Sequence, residues 1–115
     1  MKFDPADRIL LLTIPSEERL RWFSSQVPDG ALVAMGQTDE AVFAARESCR
    51  EVLNAMIHPG TPEEIPWGEA SFHHVIVESS ICPAMALKEI WRVLLPDGSL
   101  WIIAGSETLR FQRKS

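Results

Sequence analysis

Apolar residues are concentrated in short runs along the chain, and each run has the length of a β-strand. Continuous apolar runs occupy Arg8–Ile14, Ala31–Gly36 and Ser99–Ala104, a pattern typical of strands buried on both faces of a parallel sheet. Ser71–Val77 holds three consecutive β-branched residues, and Val52–Ile57 is a weaker candidate. The pattern therefore predicts five strands.

Helical spacing fills the segments between these strands. Apolar residues recur at intervals of three and four over 17–26, which predicts an amphipathic helix. A second helix, capped by Thr38 or Asp39, follows the second strand, and a third covers 83–95. Strands that alternate with helices pair in parallel. We therefore expect a single α/β domain over 1–115, with a Rossmann-like, open, mostly parallel sheet of about five strands and flanking helices.

The segment after the fifth strand, 105–115, is polar and predicts a flexible tail, although Leu109 and Phe111 could dock it onto the domain. Ser99–Ala104 would then be the final strand of the sheet.

Composition narrows the class of protein. The 115 residues suffice for one domain. The composition, 46% hydrophobic and 23% charged residues, excludes a chain that is a disordered tail over its whole length. A net charge of −5 argues against a nucleic-acid partner. We expect no signal peptide, no membrane span and a cytoplasmic location.

A metal site is not expected either. Cys49 and Cys82 form no CxxC pair, which favours two free thiols. His73 and His74 are adjacent on a strand, so we expect one to be partly buried and the other to lie at the surface.

One segment resembles a known family. Residues 89–100 read EIWRVLLPDGSL, which is similar to the helix–turn–strand signature E-x-x-R-V-L-x-P-G-G-x-L of class I S-adenosylmethionine-dependent methyltransferases. The passages 63–72 and 28–46 match other stretches of that family, so the resemblance covers nearly the whole chain. It implies a Rossmann-like fold with the cofactor over the carboxyl ends of the strands. The family adds a terminal β-hairpin of two further strands, which this chain is expected to lack.

The positions that hold the cofactor in the resembling family carry different residues here. Its first strand leads into a glycine-rich loop, whereas this chain has TIPS at 13–16. Gly36 and Gln37 stand where the family has the acid that binds the ribose, Thr61 replaces the acid that contacts adenine, and His73 replaces an aspartate. These changes predict a methyltransferase-like domain without a catalytic residue, acting as an interaction or scaffold module.

Two alternatives remain open: an active S-adenosylmethionine-dependent methyltransferase with an atypical pocket, and an α/β protein that binds another small ligand in the same crevice. In the first, Glu78 and Ser79 would lie beside the methyl group. The candidate cofactor-binding residues are Thr13, Ile14, Ser16, Gly36, Gln37, Thr61, Pro62, Glu63, Glu78 and Ser79.

The final strand also predicts a protein partner. Leu100, Trp101, Ile102 and Ile103 would form an apolar sheet edge, which favours pairing with another chain. We therefore expect a homodimer or a protein partner at this edge, and neither a nucleic acid nor a membrane.

Overall fold

The computed structural model describes residues 1–78 and 84–114. Its elements are β1 (Arg8–Leu11), α1 (Glu17–Gln26), β2 (Ala31–Gly36), α2 (Asp39–Cys49), β3 (Ala55–Pro59), β4 (Phe72–Glu78), α3 (Ala84–Val93), β5 (Leu94–Ala104) and β6 (Glu107–Gln112). The strands form one sheet in the order β3-β2-β1-β4-β5-β6. β1 to β5 pair in parallel and β6 is antiparallel to β5, which confirms the predicted Rossmann-like α/β fold.

Both faces of the sheet are buried, which explains why the strands read as continuous apolar runs. On one face, Leu10 and Val75 pack with Ile90 of α3. On the other face, Ile9 and neighbouring residues pack against Phe23 of α1 and the buried side of α2. Two helices therefore cover one face and the third covers the other.

The first two helices begin where the sequence predicts, because their N-terminal caps are encoded locally. The Ser16 hydroxyl accepts a hydrogen bond from the backbone N–H of Arg19 at 3.3 Å. The Thr38 hydroxyl accepts one from the N–H of Ala41 at 3.1 Å, so Thr38 rather than Asp39 is the cap of α2. Each cap satisfies a backbone donor that the helix itself leaves without a partner.

Some strand boundaries differ from the prediction. β1 ends at Leu11 instead of Ile14, because the chain bends at Leu12 and Thr13. β3 starts at Ala55, since the N–H of Val52 still donates to the carbonyl of Cys49 and completes the end of α2. The predicted start of α3 at residue 83 lies outside the described residues.

The segment after β5 is a strand. β6 pairs with β5 across a turn at Gly105 and Ser106, with Ala104 opposite Glu107. Gly105 has a φ of 60°, the conformation that a two-residue hairpin turn requires at its first position. The sheet therefore has six strands, one more than expected. Leu109 and Phe111 are 52% and 46% exposed, so the segment is held by its pairing with β5 and not by docking of these two side chains.

β5 is therefore not the edge of the sheet. Leu100, Trp101, Ile102 and Ile103 pair with β4 on one side and with β6 on the other. The prediction that these four residues form a sheet edge is wrong, and they cannot bind a partner by strand pairing, because a strand paired on both sides has no backbone groups left for it.

Replacement of Gly105 by alanine should lower the free energy of unfolding by about 1 kcal/mol, because a side chain disfavours the left-handed backbone region. A β-carbon at this position would contact nothing within 4 Å, so the effect should come from the backbone alone. Urea unfolding and amide hydrogen exchange in β6 measure it. Ser106→Ala is the control, and equal stability of the two variants would contradict the assignment of this turn.

Candidate functional site

The strand order reverses between β1 and β4, and this is where open α/β sheets bind ligands. β2 and β3 lie on one side of β1, whereas β4 and β5 lie on the other. The two central strands stay paired up to their carboxyl ends, where the N–H of Leu12 donates to the carbonyl of Ile76 at 3.1 Å. The space at the carboxyl ends of β1, β2 and β4 is called the switch crevice below.

The structure places the predicted cofactor residues that it describes at this edge of the sheet. Ser79 lies outside the described residues. The segments after β2 and β3 meet through a hydrogen bond from the N–H of Gly60 to the carbonyl of Gly36, 3.1 Å long. Of the predicted residues, the exposed ones are Thr13, Ser16, Gln37, Thr61 and Glu63, the half-buried ones are Ile14 and Glu78, and the buried ones are Gly36 and Pro62.

Ile14 fills the space beside the end of β2. A β-carbon built on Gly36 would lie 2.8 Å from Cδ1 of Ile14 and 2.8 Å from Cγ2 of Val42. The position where the resembling family carries its ribose-binding acid therefore has no room for a side chain unless its neighbours move. Ile14 is half-buried and also packs against the apolar core cluster on this face of the sheet.

The carboxylate at the end of β4 forms an ion pair across the switch crevice. Nε of Arg19, on the first turn of α1, lies 2.6 Å from Oε1 of Glu78. The Glu78 side chain is 25% exposed and that of Arg19 is 45% exposed, so solvent screens the pair and its energetic contribution is modest. Its consequence is geometric, since the acid expected beside a methyl group is held by an arginine of the same chain.

The amino end of α1 is also satisfied by the chain itself. Ser16 caps the helix, and Glu17 and Glu18 occupy its first turn. Two carboxylates next to the positive end of the helix dipole disfavour an additional anion there. The observed role of Ser16 is therefore that of a helix cap.

The most specific part of the resemblance has a structural explanation. Glu89 and Arg92 of α3 form an ion pair with 2.7 Å between Nε and Oε2. Arg92 also donates to the carbonyls of Ile65 and Trp67, at 2.8 and 2.7 Å, while Oε1 of Glu89 accepts from the N–H of Ile65 at 2.9 Å. The hydrogen bond from Arg92 is the main cause that lowers the pKa of the Glu89 carboxyl. The acid and the arginine of the signature thus fasten the loop after β3 to α3.

A buried polar cluster lies near the amino end of β1, away from the switch crevice, and was not predicted from the sequence. Nε2 of His74 lies 2.7 Å from Oδ2 of Asp7, and Nε1 of Trp101 lies 3.0 Å from Nδ1 of His74. An indole N–H can only donate, so Nδ1 accepts and Nε2 carries the proton that is donated to Asp7. Both Asp7 and His74 are only 8% exposed. These three hydrogen-bonded side chains are called the Asp7–His74–Trp101 relay below.

Burial sets the ionisation of the relay. Burial is the main cause that lowers the pKa of His74 below 6.5, and the hydrogen bond to Asp7 opposes it. Burial raises the pKa of the Asp7 carboxyl, but the hydrogen bonds from His74 and from the N–H of Asp4 outweigh this effect and place the pKa below 3.8. The folded protein therefore holds a neutral imidazole beside a carboxylate.

The relay fastens the amino-terminal segment to the sheet. The ring of Phe3 packs edge-on against that of His74, with 4.7 Å between centroids. A cavity of about 420 Å³ adjoins the relay and is also lined by Lys2, Ser99 and Arg110. Both ring nitrogens of His74 are engaged, so it offers no free lone pair to a substrate.

The neighbouring histidine meets the sequence expectation. The His73 side chain is 35% exposed, and its Nδ1 accepts from the N–H of Arg8 at 2.9 Å. Since His74 is buried, one histidine of the pair is inside and the other is partly at the surface. In the part of the chain that the structure describes, no group of three or more potential ligands could hold a metal ion.

Comparisons with known proteins agree with the fold. The methyltransferase domain family matches residues 17–102. YrhH of Bacillus subtilis (strain 168), whose name assigns it provisionally to the methyltransferases, is 28% identical over 107 residues, which span 89% of this chain and 59% of YrhH. The chain thus spans less than two thirds of the length of this curated relative.

Solved structures show the same architecture. A SAM-dependent methyltransferase from Aquifex aeolicus superposes with a TM-score of 0.76 at 20% identity, over 84% of this chain and 55% of that one. The [4+2]-cyclase SpnF superposes with a TM-score of 0.76 at 19% identity, over 86% of this chain and 39% of that one. At these identities the likeness establishes the fold alone.

The helices were also compared with the requirements of a membrane span. Within 1–78 and 84–114, none is both long enough and apolar enough to cross a bilayer.

Proposed function

Given that this chain belongs to the methyltransferase domain family, among the class I S-adenosylmethionine-dependent methyltransferases, we propose that it is a member without methyl-transfer activity that acts as an interaction or scaffold module. The observation that carries the proposal is the packing of Ile14 against Gly36 in the switch crevice. The residues present do not fit S-adenosylmethionine in the way that the family resemblance implies.

The first support is steric and concerns the ribose. A carboxylate that binds two ribose hydroxyls contributes about 1.5–3 kcal/mol per charge-assisted hydrogen bond. Gly36 has no side chain, and the space that one would need is filled by Ile14 and Val42. Loss of these bonds alone should weaken cofactor binding by roughly ten- to a hundredfold or more.

The second support is electrostatic and concerns the methionine part of the cofactor. S-adenosylmethionine carries a sulfonium, an ammonium and a carboxylate group and is cationic overall, and its two cationic groups prefer a carboxylate. Glu78 is at the end of β4, but its Oε1 already lies 2.6 Å from the guanidinium of Arg19. The cofactor would have to displace Arg19, and a cation already present in the crevice opposes the approach of another.

Isothermal titration calorimetry with S-adenosylmethionine tests the proposal. We expect no saturable heat with ligand at about 1 mM, a concentration that would detect even weak affinity. Arg19→Ala, which releases Glu78, should not restore binding by itself, because Ile14 remains in place. Arg21→Ala is the matched control, since Arg21 pairs with Glu17 on the same helix. Saturable binding at micromolar concentration by the unaltered chain would overturn the proposal.

An active methyltransferase with an atypical pocket is the second candidate, and the match to YrhH favours it. In that case the calorimetric titration would give micromolar affinity. The methyl group of S-adenosylmethionine, if it is isotopically labelled, would be found on a substrate. SpnF has this same architecture and is a [4+2]-cyclase, which supports a third candidate that binds a different small ligand. A ligand that binds in the crevice when S-adenosylmethionine does not would favour this one.

The proposal includes a cytosolic location. Cys49, the cysteine that the structure describes, is a buried free thiol. Reduced cysteines are typical of the cytosol.

A further inference from the structure

β6 presents an edge of backbone hydrogen-bonding groups. It is the last strand of the sheet, and among the described residues no strand lies on its outer side. Ala104 and Glu107 close the hairpin, and the N–H of Arg113 donates to the carbonyl of Gly98 at 2.8 Å. Since antiparallel bonding alternates along a strand, the odd-numbered residues 107–113 bond to β5. The N–H and C=O groups of Thr108, Arg110 and Gln112 therefore point outward.

This edge carries charged side chains but no proline, one of the features that usually prevent strands from pairing. β3, at the opposite edge, ends in Pro59, whereas β6 has six residues and no proline. The side chains of Leu109 and Phe111 are 52% and 46% exposed. The central charge of β6 is turned away from its edge, because Nε of Arg110 lies 2.9 Å from the Ser99 hydroxyl of β5.

We propose that β6 pairs with β6 of a second copy of this chain, antiparallel about a two-fold axis at Arg110, so that the two sheets become continuous. In this register Leu109 lies opposite the partner's Phe111, and Glu107 lies opposite the partner's Arg113. The guanidinium of Arg113 also donates to the carbonyl of Leu94 in its own chain, so the carboxylate would meet a side chain that is already held in place. The two-fold axis repeats each pair, which gives two pairs of opposite charge and two apolar pairs on one face. Such cross-strand pairs are the main side-chain stabilisation of antiparallel strands.

Neighbouring registers lack this complementarity. An axis at Leu109 would place Glu107 opposite the partner's Phe111, and an axis at Phe111 would place Leu109 opposite the partner's Arg113. Each combines a charge with an apolar side chain. A register centred on Arg110 also pairs all three outward-facing residues of each β6 with the other copy. These matches favour a second copy as the partner, since a symmetric interface uses the same surface twice.

One feature of this register is unfavourable. The two Arg110 residues lie opposite each other at the axis, and like charges in that position destabilise a pair. Each guanidinium instead lies over Trp101 of its own β5, with 5.2 Å from its central carbon to the indole centroid. This position draws the two charges apart. The interface is small, so we expect a dissociation constant of about micromolar size.

Sedimentation equilibrium of the whole chain tests the proposal. The average mass should rise from 12.9 kDa toward twice that value as concentration rises to about 0.3 mM, which covers weak interfaces. Thr108→Pro should hold the mass at that of the monomer, because it removes an N–H that faces outward while the bonds from β6 to β5 remain. Thr108→Val, which keeps this N–H, is the matched control and should dimerise. A monomeric unaltered chain over the whole range would overturn the proposal, whatever the variants do.

Disulfide trapping tests the register. In a background without Cys49 and Cys82, an equimolar mixture of Leu109→Cys and Phe111→Cys chains should cross-link on mild oxidation at least tenfold more than either alone, since opposite β-carbons are about 4.5–5.5 Å apart. Equal cross-linking in all three samples would overturn the register. Sedimentation of the background chain, which lacks both native cysteines, measures dimerisation separately from the register. A dimer there would show that the chain still self-associates, even if the cross-linking result overturns the register.

Discussion

Replacement of Gly36 by aspartate should lower the free energy of unfolding by more than about 3 kcal/mol, although it restores an acid of the family pattern. The new side chain would overlap Ile14 and Val42, each 2.8 Å from the position of its β-carbon. Insertion of atoms into a packed core costs about 1–3 kcal/mol, and an unpaired buried carboxylate adds to this cost. Urea denaturation at neutral pH measures the loss.

A double variant separates the steric part of this effect. Ile14→Ala together with Gly36→Asp should be more stable than the sum of the two single changes predicts, with a coupling of about 0.5–3 kcal/mol for residues in contact. Gln37→Asp places the same charge on the next, exposed residue and should change stability by less than about 0.5 kcal/mol. A Gly36→Asp variant as stable as the unaltered chain would mean that the crevice has room for the acid. Steric exclusion of the cofactor would then be contradicted.

The fold was predictable where local patterns and tertiary packing agree. α1 and α2 were assigned correctly because Ser16 and Thr38 are strong caps followed by acids. β2 was assigned correctly because it is apolar throughout and buried on both faces. At β3 the apolar pattern was misleading, since it started at Val52, whose N–H completes the end of α2.

β6 had a sequence signal that the interpretation did not use. Gly105 and Ser106 between two strand-like stretches are a hairpin signal, and Leu109 and Phe111 alternate with polar residues. The overall polarity of the segment outweighed this signal because an outermost strand has little apolar surface to bury. This error placed the edge of the sheet at β5, whereas the edge strand is β6.

The candidate site shows a different limit of sequence analysis. Strand order places the carboxyl ends of β1, β2 and β4 together, so the position of the crevice followed from the topology. The ion pair between Arg19 and Glu78 did not, because it joins residues 59 positions apart whose side-chain directions depend on packing. The relay between Asp7 and His74, 67 positions apart, was missed for the same reason.

Removal of the Asp7 carboxylate should have the second large effect. Asp7→Ala leaves the buried Nε2–H of His74 without an acceptor and also removes the hydrogen bond from the N–H of Asp4, which is 3.0 Å long. An unsatisfied buried donor costs about 1–3 kcal/mol and each lost bond about 1 kcal/mol, so the free energy of unfolding should fall by about 2–4 kcal/mol. Asp7→Asn keeps an oxygen that can accept from His74 and should lose clearly less. Equal losses in the two variants would argue against the hydrogen bond as the cause.

The relay also makes stability depend on pH, with a sign that follows from the two pKa shifts. The pKa of His74 is lower in the folded protein than the 6.5 expected after unfolding, so below about pH 6.5 the unfolded chain binds more protons and stability falls. The pKa of Asp7 lies below 3.8 in the folded protein, so its contribution is present above that pH and is lost as the pH falls further. Both groups therefore destabilise the fold on acidification, and the first loss begins near pH 6.5.

Urea unfolding between pH 4 and 8 isolates the contribution of His74, because His74→Phe should remove the loss that begins near pH 6.5. His58→Gln is the matched control, because His58 lies on β3 and not in the relay, and it should leave that loss in place. Nuclear magnetic resonance of the His74 ring gives an independent result: Nε2 should carry the proton at neutral pH, and the ring should stay neutral below pH 6.5. A His74 ring that becomes protonated above pH 6.5 in the folded protein would contradict both the hydrogen-bond assignment of the relay and the predicted direction of the pH dependence.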